Sequence, residues 1–218
     1  MKKTLTSLKL FPNQKFSVRK WGAGVLMFVA MLVFSFQGIA QEYVFDQYIR
    51  NTKVGTLSVF IEENPSKKEK TVRIESKVNV NMLFLKARVE YEGKAKYRDG
   101  KLISAEVQIC RDGSTYQDAE THWRGRYYLA VIDGKEKRIN KDMIQFSSLL
   151  LYAKEPRNIS EVYAEIDGVF NRLEHLGRGR YELHLSGSRN NYYTYRNGQL
   201  IEAKLDHWLA PIQLKRQD

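Results

Sequence analysis

Between Thr71 and Tyr97 apolar and polar residues alternate with a period of two, and that pattern narrows the chain to one kind of architecture. Val72, Ile74, Val78 and Val80 are separated by Arg73, Glu75, Lys77 and Asn79. Beyond a turn near Asn79–Met82, the apolar set is Leu83, Leu85, Ala87, Val89, Tyr91, Ala95 and Tyr97, with Lys86, Arg88, Glu90, Glu92, Lys94 and Lys96 between its members. Successive side chains of an extended strand point to opposite faces, so the pattern sets one face on a core and the other in water. An amphipathic helix would need apolar positions every three to four residues instead. Long, half-buried antiparallel strands follow.

Further strands are expected at 42–50, 54–62, 101–110, 114–122, 126–132, 180–186, 191–196 and 199–209, where β-branched and aromatic residues lie between turn residues. Asp99-Gly100, Asp133-Gly134 and Asn197-Gly198 are hairpin signals, because these residues tolerate the positive φ angles that two-residue turns require. One segment differs. In 142–153, Met143, Phe146, Leu150 and Ala153 recur at helical spacing, with Asn140 as N-cap and Pro156 as stop, which predicts one packed helix. The stretch 97–106, YRDGKLISAE, also aligns without gaps with 195–204, YRNGQLIEAK, as an internal repeat or as two hairpins with a common turn. The expected fold is mainly β: a single curved or closed antiparallel sheet, barrel-like, with one packed helix. A two-sheet β-sandwich is the alternative, since periodicity does not separate the two.

The first 40 residues read as a cleavable signal. They carry Lys2, Lys3, Lys9, Lys15, Arg19 and Lys20 and no acid, then an apolar run from Gly22 to Phe36 and the small-residue site Gly38-Ile39-Ala40. The apolar run is shorter than the ~20 residues that span a bilayer. Residues 41–218 are then one exported β domain, periplasmic or secreted, with no transmembrane segment. Six of the 36 basic residues belong to the leader, so the remainder holds 30 against 25 acids. That modest excess shows no basic patch interleaved with aromatics, and nucleic acid is not an expected partner. Cys110 is the only cysteine, which excludes an intramolecular disulfide and any Cys-based zinc or redox motif.

No recognisable set of catalytic or metal-binding residues is present, and no cofactor is implied. His122, His175, His184 and His207 have no local metal-pair spacing; His184, His207 and Asp206 are the set that folding could still assemble. Alternation puts His184 on the polar side of its strand. Ser186-Gly187-Ser188 lacks the glycine and the strand-to-helix context of a nucleophile elbow and reads as a turn. Gly177-Arg178-Gly179-Arg180 and Arg124-Gly125-Arg126 lack phosphate-loop spacing and read as charged hairpin tips. Cys110 reads as a small, partly buried thiol. Tyr192, Tyr193, Tyr195 and Trp208 could stack on sugar rings or line a cavity, although strands favour aromatics for packing alone.

Four stretches resemble an uncharacterised exported family, domain of unknown function 6134: 43–59, YVFDQYIRNTKVGTLSV, with a loop and Gly55 between two strands; 147–156, SSLLLYAKEP; 161–170, EVYAEIDGVF; and 180–205, RYELHLSGSRNNYYTYRNGQLIEAKL. The resemblance implies export and β structure and brings no activity with it.

The function expected from these observations is a non-enzymatic binding or carrier module for a lipid-like apolar ligand. Val72, Ile74, Leu85, Val89 and Tyr91 of the sheet and Met143, Phe146 and Leu150 of the helix are the ligand-lining residues. Barrels of moderate strand number enclose one small ligand, which motivates this reading. An envelope hydrolase built on the scattered histidines and acids, or a structural or protein-binding module, is the alternative.

Overall fold

The computed structural model describes residues 38–82, 85–206 and 210–217. Among them fourteen strands form one sheet: β1 (Ile39–Ile49), β2 (Thr52–Asn64), β3 (Glu69–Met82), β4 (Leu85–Arg98), β5 (Lys101–Arg111), β6 (Ser114–Trp123), β7 (Tyr128–Ile132), β8 (Lys135–Ile139), β9 (Glu161–Ala164), β10 (Val169–Gly177), β11 (Arg180–His184), β12 (Asn190–Arg196), β13 (Gln199–Leu205) and β14 (Ile212–Arg216). Their order is β8-β7-β6-β5-β4-β3-β2-β1-β14-β13-β12-β11-β10-β9. Every neighbour is antiparallel. Two meanders are therefore joined at mid-sheet by β1 and β14, where Phe45 faces Arg216 and Ile49 faces Ile212. The sheet does not close: β8 and β9 are its two edges. The leader expected over 1–40 lies outside the described residues except for Gly38-Ile39-Ala40, of which Ile39 and Ala40 open β1.

The alternation read from the sequence holds in the core. Val72 and Ile74 are fully buried and Val78 and Val80 nearly so, while Arg73, Lys77 and Asn79 face solvent. Asp99-Gly100, Asp133-Gly134 and Asn197-Gly198 all turn with positive φ at both residues. The two similar stretches form equivalent hairpins. Tyr97 pairs with Leu102 next to a bulge at Lys96/Tyr97, and Tyr195 pairs with Leu200 next to a bulge at Thr194/Tyr195. Both tyrosines point inward from the bulge. Gly55, expected between two strands, lies inside β2 beside the bulge at Gln47/Tyr48.

The expected helix is absent, and the strands make one sheet rather than a two-sheet sandwich. Residues 140–160 connect β8 to β9 as an irregular strap whose one helical segment is the 3-10 turn Leu149–Tyr152. The backbone groups that an α-helix would pair internally are taken by the sheet. Leu102 N–H donates to Ile144 O, Tyr163 N–H to Phe146 O, and Ser148 N–H to Tyr163 O, at 2.8–3.0 Å. Ile144 N–H donates to the Tyr128 hydroxyl. In an apolar interior these long-range bonds displace a helix of modest intrinsic strength, since propensity is a weak prior beside tertiary contacts. Of the expected stripe, Phe146 and Leu150 are buried, whereas Met143 is 38% exposed.

Four strands carry weak sequence signals. β8 reads Lys-Glu-Lys-Arg before Ile139, exposed through its first four residues, and charge of this kind is how an edge strand is kept from pairing with another chain. β9 and β10 flank a turn, and β14 follows Pro211 closely. Side chains of β9 reach beyond its own ladder. Lys141 Nζ, in the strap just after β8, is 2.6 Å from Glu161 Oε1, and the hydroxyls of Thr121 in β6 and Tyr163 in β9 are 2.8 Å apart.

Two glycines separate packing from turn strain. A Cβ on Gly55 would overlap the backbone carbonyl of Lys77 in β3, whereas one on Gly113, in the β5–β6 turn at φ +85°, would meet open space. Gly55→Ala is expected to destabilise by about 3 kcal/mol or more through overpacking. Gly113→Ala should cost only about 1–2 kcal/mol for its left-handed backbone. Urea denaturation midpoints check this, and equal losses would contradict the β2–β3 approach.

Candidate functional site

The concave face of the sheet is filled by the strap. Leu149 and Leu151 are fully buried in it, and Gly93 in β4 makes the room, since a Cβ there would lie 2.6 Å from Leu149 Cδ2. Tyrosine hydroxyls from the sheet pin the strap. Tyr97 O–H donates to Ser147 Oγ at 2.7 Å and Tyr195 O–H to Leu151 O at 2.6 Å, so the two equivalent hairpins grip the strap four residues apart. Tyr181 O–H donates to Glu155 at 3.1 Å.

Glu165, in the β9–β10 turn, is 1% exposed and caps the 3-10 turn. Its carboxylate accepts from Ser148 N–H at 3.1 Å, from Leu149 N–H at 3.2 Å and from the Ser148 hydroxyl. Burial raises its pKa above the ordinary value of 4.5, and the Ser147 and Ser148 hydroxyls and the Leu149 amide work against that rise. Burial likewise pushes the Tyr97, Tyr152 and Tyr193 hydroxyls far up, and that of Tyr163 to about 12, with the Glu165 charge adding to each. The interior is thus a phenol-lined core around one carboxylate, and its hydrogen bonds serve to hold the strap.

Open space borders the strap at one end of the sheet. A cleft of about 570 Å³ forms at the end of the sheet where the β2–β3 and β4–β5 turns meet the strap. Met143, Phe146 and Leu150, with Tyr97 and Ile159, give it apolar surface; Lys68, Lys70, Lys154 and Arg157 lie around it with Glu63, Glu69 and Glu155. Phe146 and Leu150 are anchored through the strap backbone, and the exposed Met143 stands beside the β4–β5 turn, with Cε 3.8 Å from where a Gly100 Cβ would stand.

Of the eight residues read as ligand-lining, the structure brings Met143, Phe146 and Leu150 to this cleft. Val72 and Ile74 are in the solid core, and Val89 and Tyr91 are half-buried against it. The Leu85 side chain lies outside the described residues. The roles of Tyr97 as a strap anchor and of Glu165 as a cap depend on contacts across 50 and 17 residues, which local patterning does not show. The paired Tyr-Arg-x-Gly motifs were the available sign for the tyrosines.

The histidines do not converge. His175 stacks on Tyr181 on the inner face at a ring distance of 4.7 Å, while His184, two positions along from the outward Glu182, faces outward. His184 Nε2 is 3.5 Å from Glu174 without hydrogen-bond geometry. His122 lies on the outer face of β6 near Glu120, and His207 and Trp208 are outside the described residues. No group of three His, Cys, Asp or Glu suited to a metal ion occurs among the described residues. Cys110 is half-buried. Tyr193 and Tyr195 are buried and offer no stacking platform; Tyr192 is 42% exposed. Ser186-Gly187-Ser188 and the two Arg-Gly-Arg stretches are turns between strands, and no described helix is long and apolar enough to cross a membrane.

A family model, Domain of unknown function (DUF6134), matches residues 45–217. Among solved structures, a beta-barrel-like protein of Domain of Unknown Function DUF1849 from Brucella abortus superposes with a TM-score of 0.56 at 10% identity, covering 84% of this chain and 98% of that one. At that identity the likeness concerns the fold alone. No curated protein matches by sequence.

The buried carboxylate makes stability depend on pH in a defined direction. Because the folded pKa of Glu165 is raised, its contribution is full below the ordinary value of 4.5 and is lost as pH rises through the folded pKa. Asp46 and Glu69, held low by Lys53 and Arg98, act oppositely at lower pH, equally with or without Glu165. Glu165→Gln keeps one acceptor oxygen and removes the titration. The difference in melting temperature between Glu165→Gln and the parent should therefore shift in favour of the variant as pH is raised from 4 towards 7, and a pH-independent difference would count against the assignment.

Proposed function

This chain belongs to the DUF6134 family, and because that family carries no activity to transfer, we propose from the cleft itself that it is an exported, non-enzymatic binding module for a small lipid-like ligand with an apolar body. The observation that carries the reading is an open cleft of about 570 Å³ with Met143, Phe146 and Leu150 on its apolar side. Small-molecule sites are commonly ~300–1,000 Å³, largely apolar, with a few polar groups to fix orientation. The ligand space is the mouth formed by strap and turns; the space between strap and sheet is occupied by Leu149 and Leu151.

Export is supported by the basic, acid-free start of the chain, its apolar run and Gly38-Ile39-Ala40, with Gln41 as the mature N-terminus and the periplasm or the exterior as destination. A non-enzymatic role is favoured over an envelope hydrolase because acid–base catalysis needs a nucleophile or carboxylate and a base in one cleft, and the described histidines lie elsewhere.

The neutral naphthyl dye 1-N-phenylnaphthylamine tests the cleft. The full chain should raise and blue-shift its emission saturably. Met143→Glu, at a side chain exposed enough to be tolerated, should weaken uptake about tenfold, since burying one such apolar side chain contributes ~1.5 kcal/mol. A parent protein that leaves the dye unchanged, or a Met143→Glu variant that binds it equally well, would overturn the reading.

A further inference from the structure

We propose that the cleft selects a carboxylate-headed amphipath of the fatty-acid type, its single negative charge met by Lys154 and its apolar body laid along Met143, Phe146 and Leu150. This rests on the cleft being a binding site and names the ligand class. Three carboxylates border the cleft, and each already has a cation: Glu63 has Lys70 at 2.7 Å, Glu69 has Arg98 at 2.7 Å, and Glu155 has Arg157 at 2.8 Å. Lys68 is matched by Asp99 at 3.1 Å. Among the described residues Lys154 is the cleft cation without a carboxylate partner.

A cationic ligand would therefore have to break an existing pair, whereas an anionic one completes an unmatched charge. One surplus cation also favours a singly charged head over a phosphate monoester, whose charge near neutral pH approaches two. The backbone of Lys154 is fixed where this requires: its N–H donates to Leu150 O at 2.9 Å, directly beyond the 3-10 turn that carries the apolar residues. Head and body sites thus belong to one rigid piece of strap, with the flexible lysine stem bridging them.

An exposed ion pair contributes little, so the head should orient the ligand and add only a few-fold in affinity. Titrate the full chain with 11-(dansylamino)undecanoic acid, its methyl ester, and the matching alkyl phosphate. The acid should bind about 2- to 5-fold tighter than the ester at low salt, the gap narrowing at high salt. Lys154→Gln should abolish that preference while leaving ester affinity unchanged, and Lys154→Glu should make the ester the better ligand. Lys154 is exposed, so melting temperatures should match the parent and exclude misfolding. An ester that binds as tightly as the acid, a preference that survives Lys154→Gln, or a phosphate that outbinds the acid would overturn this proposal and leave the binding reading standing. Failure of all three probes would overturn both.

Discussion

A sheet of fourteen alternating strands has an entire apolar face to remove from water, and among the described residues neither a second sheet nor a helical layer covers it. The cover comes from curvature and from the connection between the two edge strands. The strap brings Leu149 and Leu151 to the concave side, but it also brings backbone amides and carbonyls, which are costly to bury without partners. Tyrosine resolves that conflict. Its ring contributes apolar area to the core, and its hydroxyl reaches a polar group on the strap. Tyr97, Tyr128 and Tyr195 do this from three strands, and Glu165 does it from a turn.

Local rules sufficed for most of the sheet because each long strand states its own exposure. Val72 to Val80 had to present one face inward, and Asp-Gly or Asn-Gly had to turn. The same rules failed at 142–153. Helical spacing of Met143, Phe146 and Leu150 is equally the spacing of an irregular strap that touches a wall at intervals, and the contacts that decide between them run to Leu102, Tyr128 and Tyr163. β8 is illegible for the opposite reason: an edge strand of Lys, Glu and Arg has no alternation to read.

The site divides along the same line. The strap residues Met143, Phe146 and Leu150 are legible as apolar positions, and the cleft they border is formed with the β2–β3 and β4–β5 turns. Val72 and Ile74 lie in the core, and alternation identifies an inward face without saying whether that face meets a cavity or a neighbour. The charges around the opening carry meaning only once their pairings are known, and those join residues from separate strands.

The pairing of β1 with β14 has a kinetic corollary. Gln217 Nε2 donates to Asp46 Oδ1 across 171 residues, and among the described residues the ladder beside it is the one backbone ladder that pairs the two arms of the sheet. Every other ladder closes a short loop, so each arm can zip from hairpins, while the central joint pays the entropy of closing nearly the whole domain. The centre of the finished sheet is thus the part of the molecule that must assemble last. A chain emerging vectorially, as through a membrane channel, would carry one arm of the sheet with an uncovered β1 edge until β14 arrived, which is the interval in which a strand from another molecule could take its place.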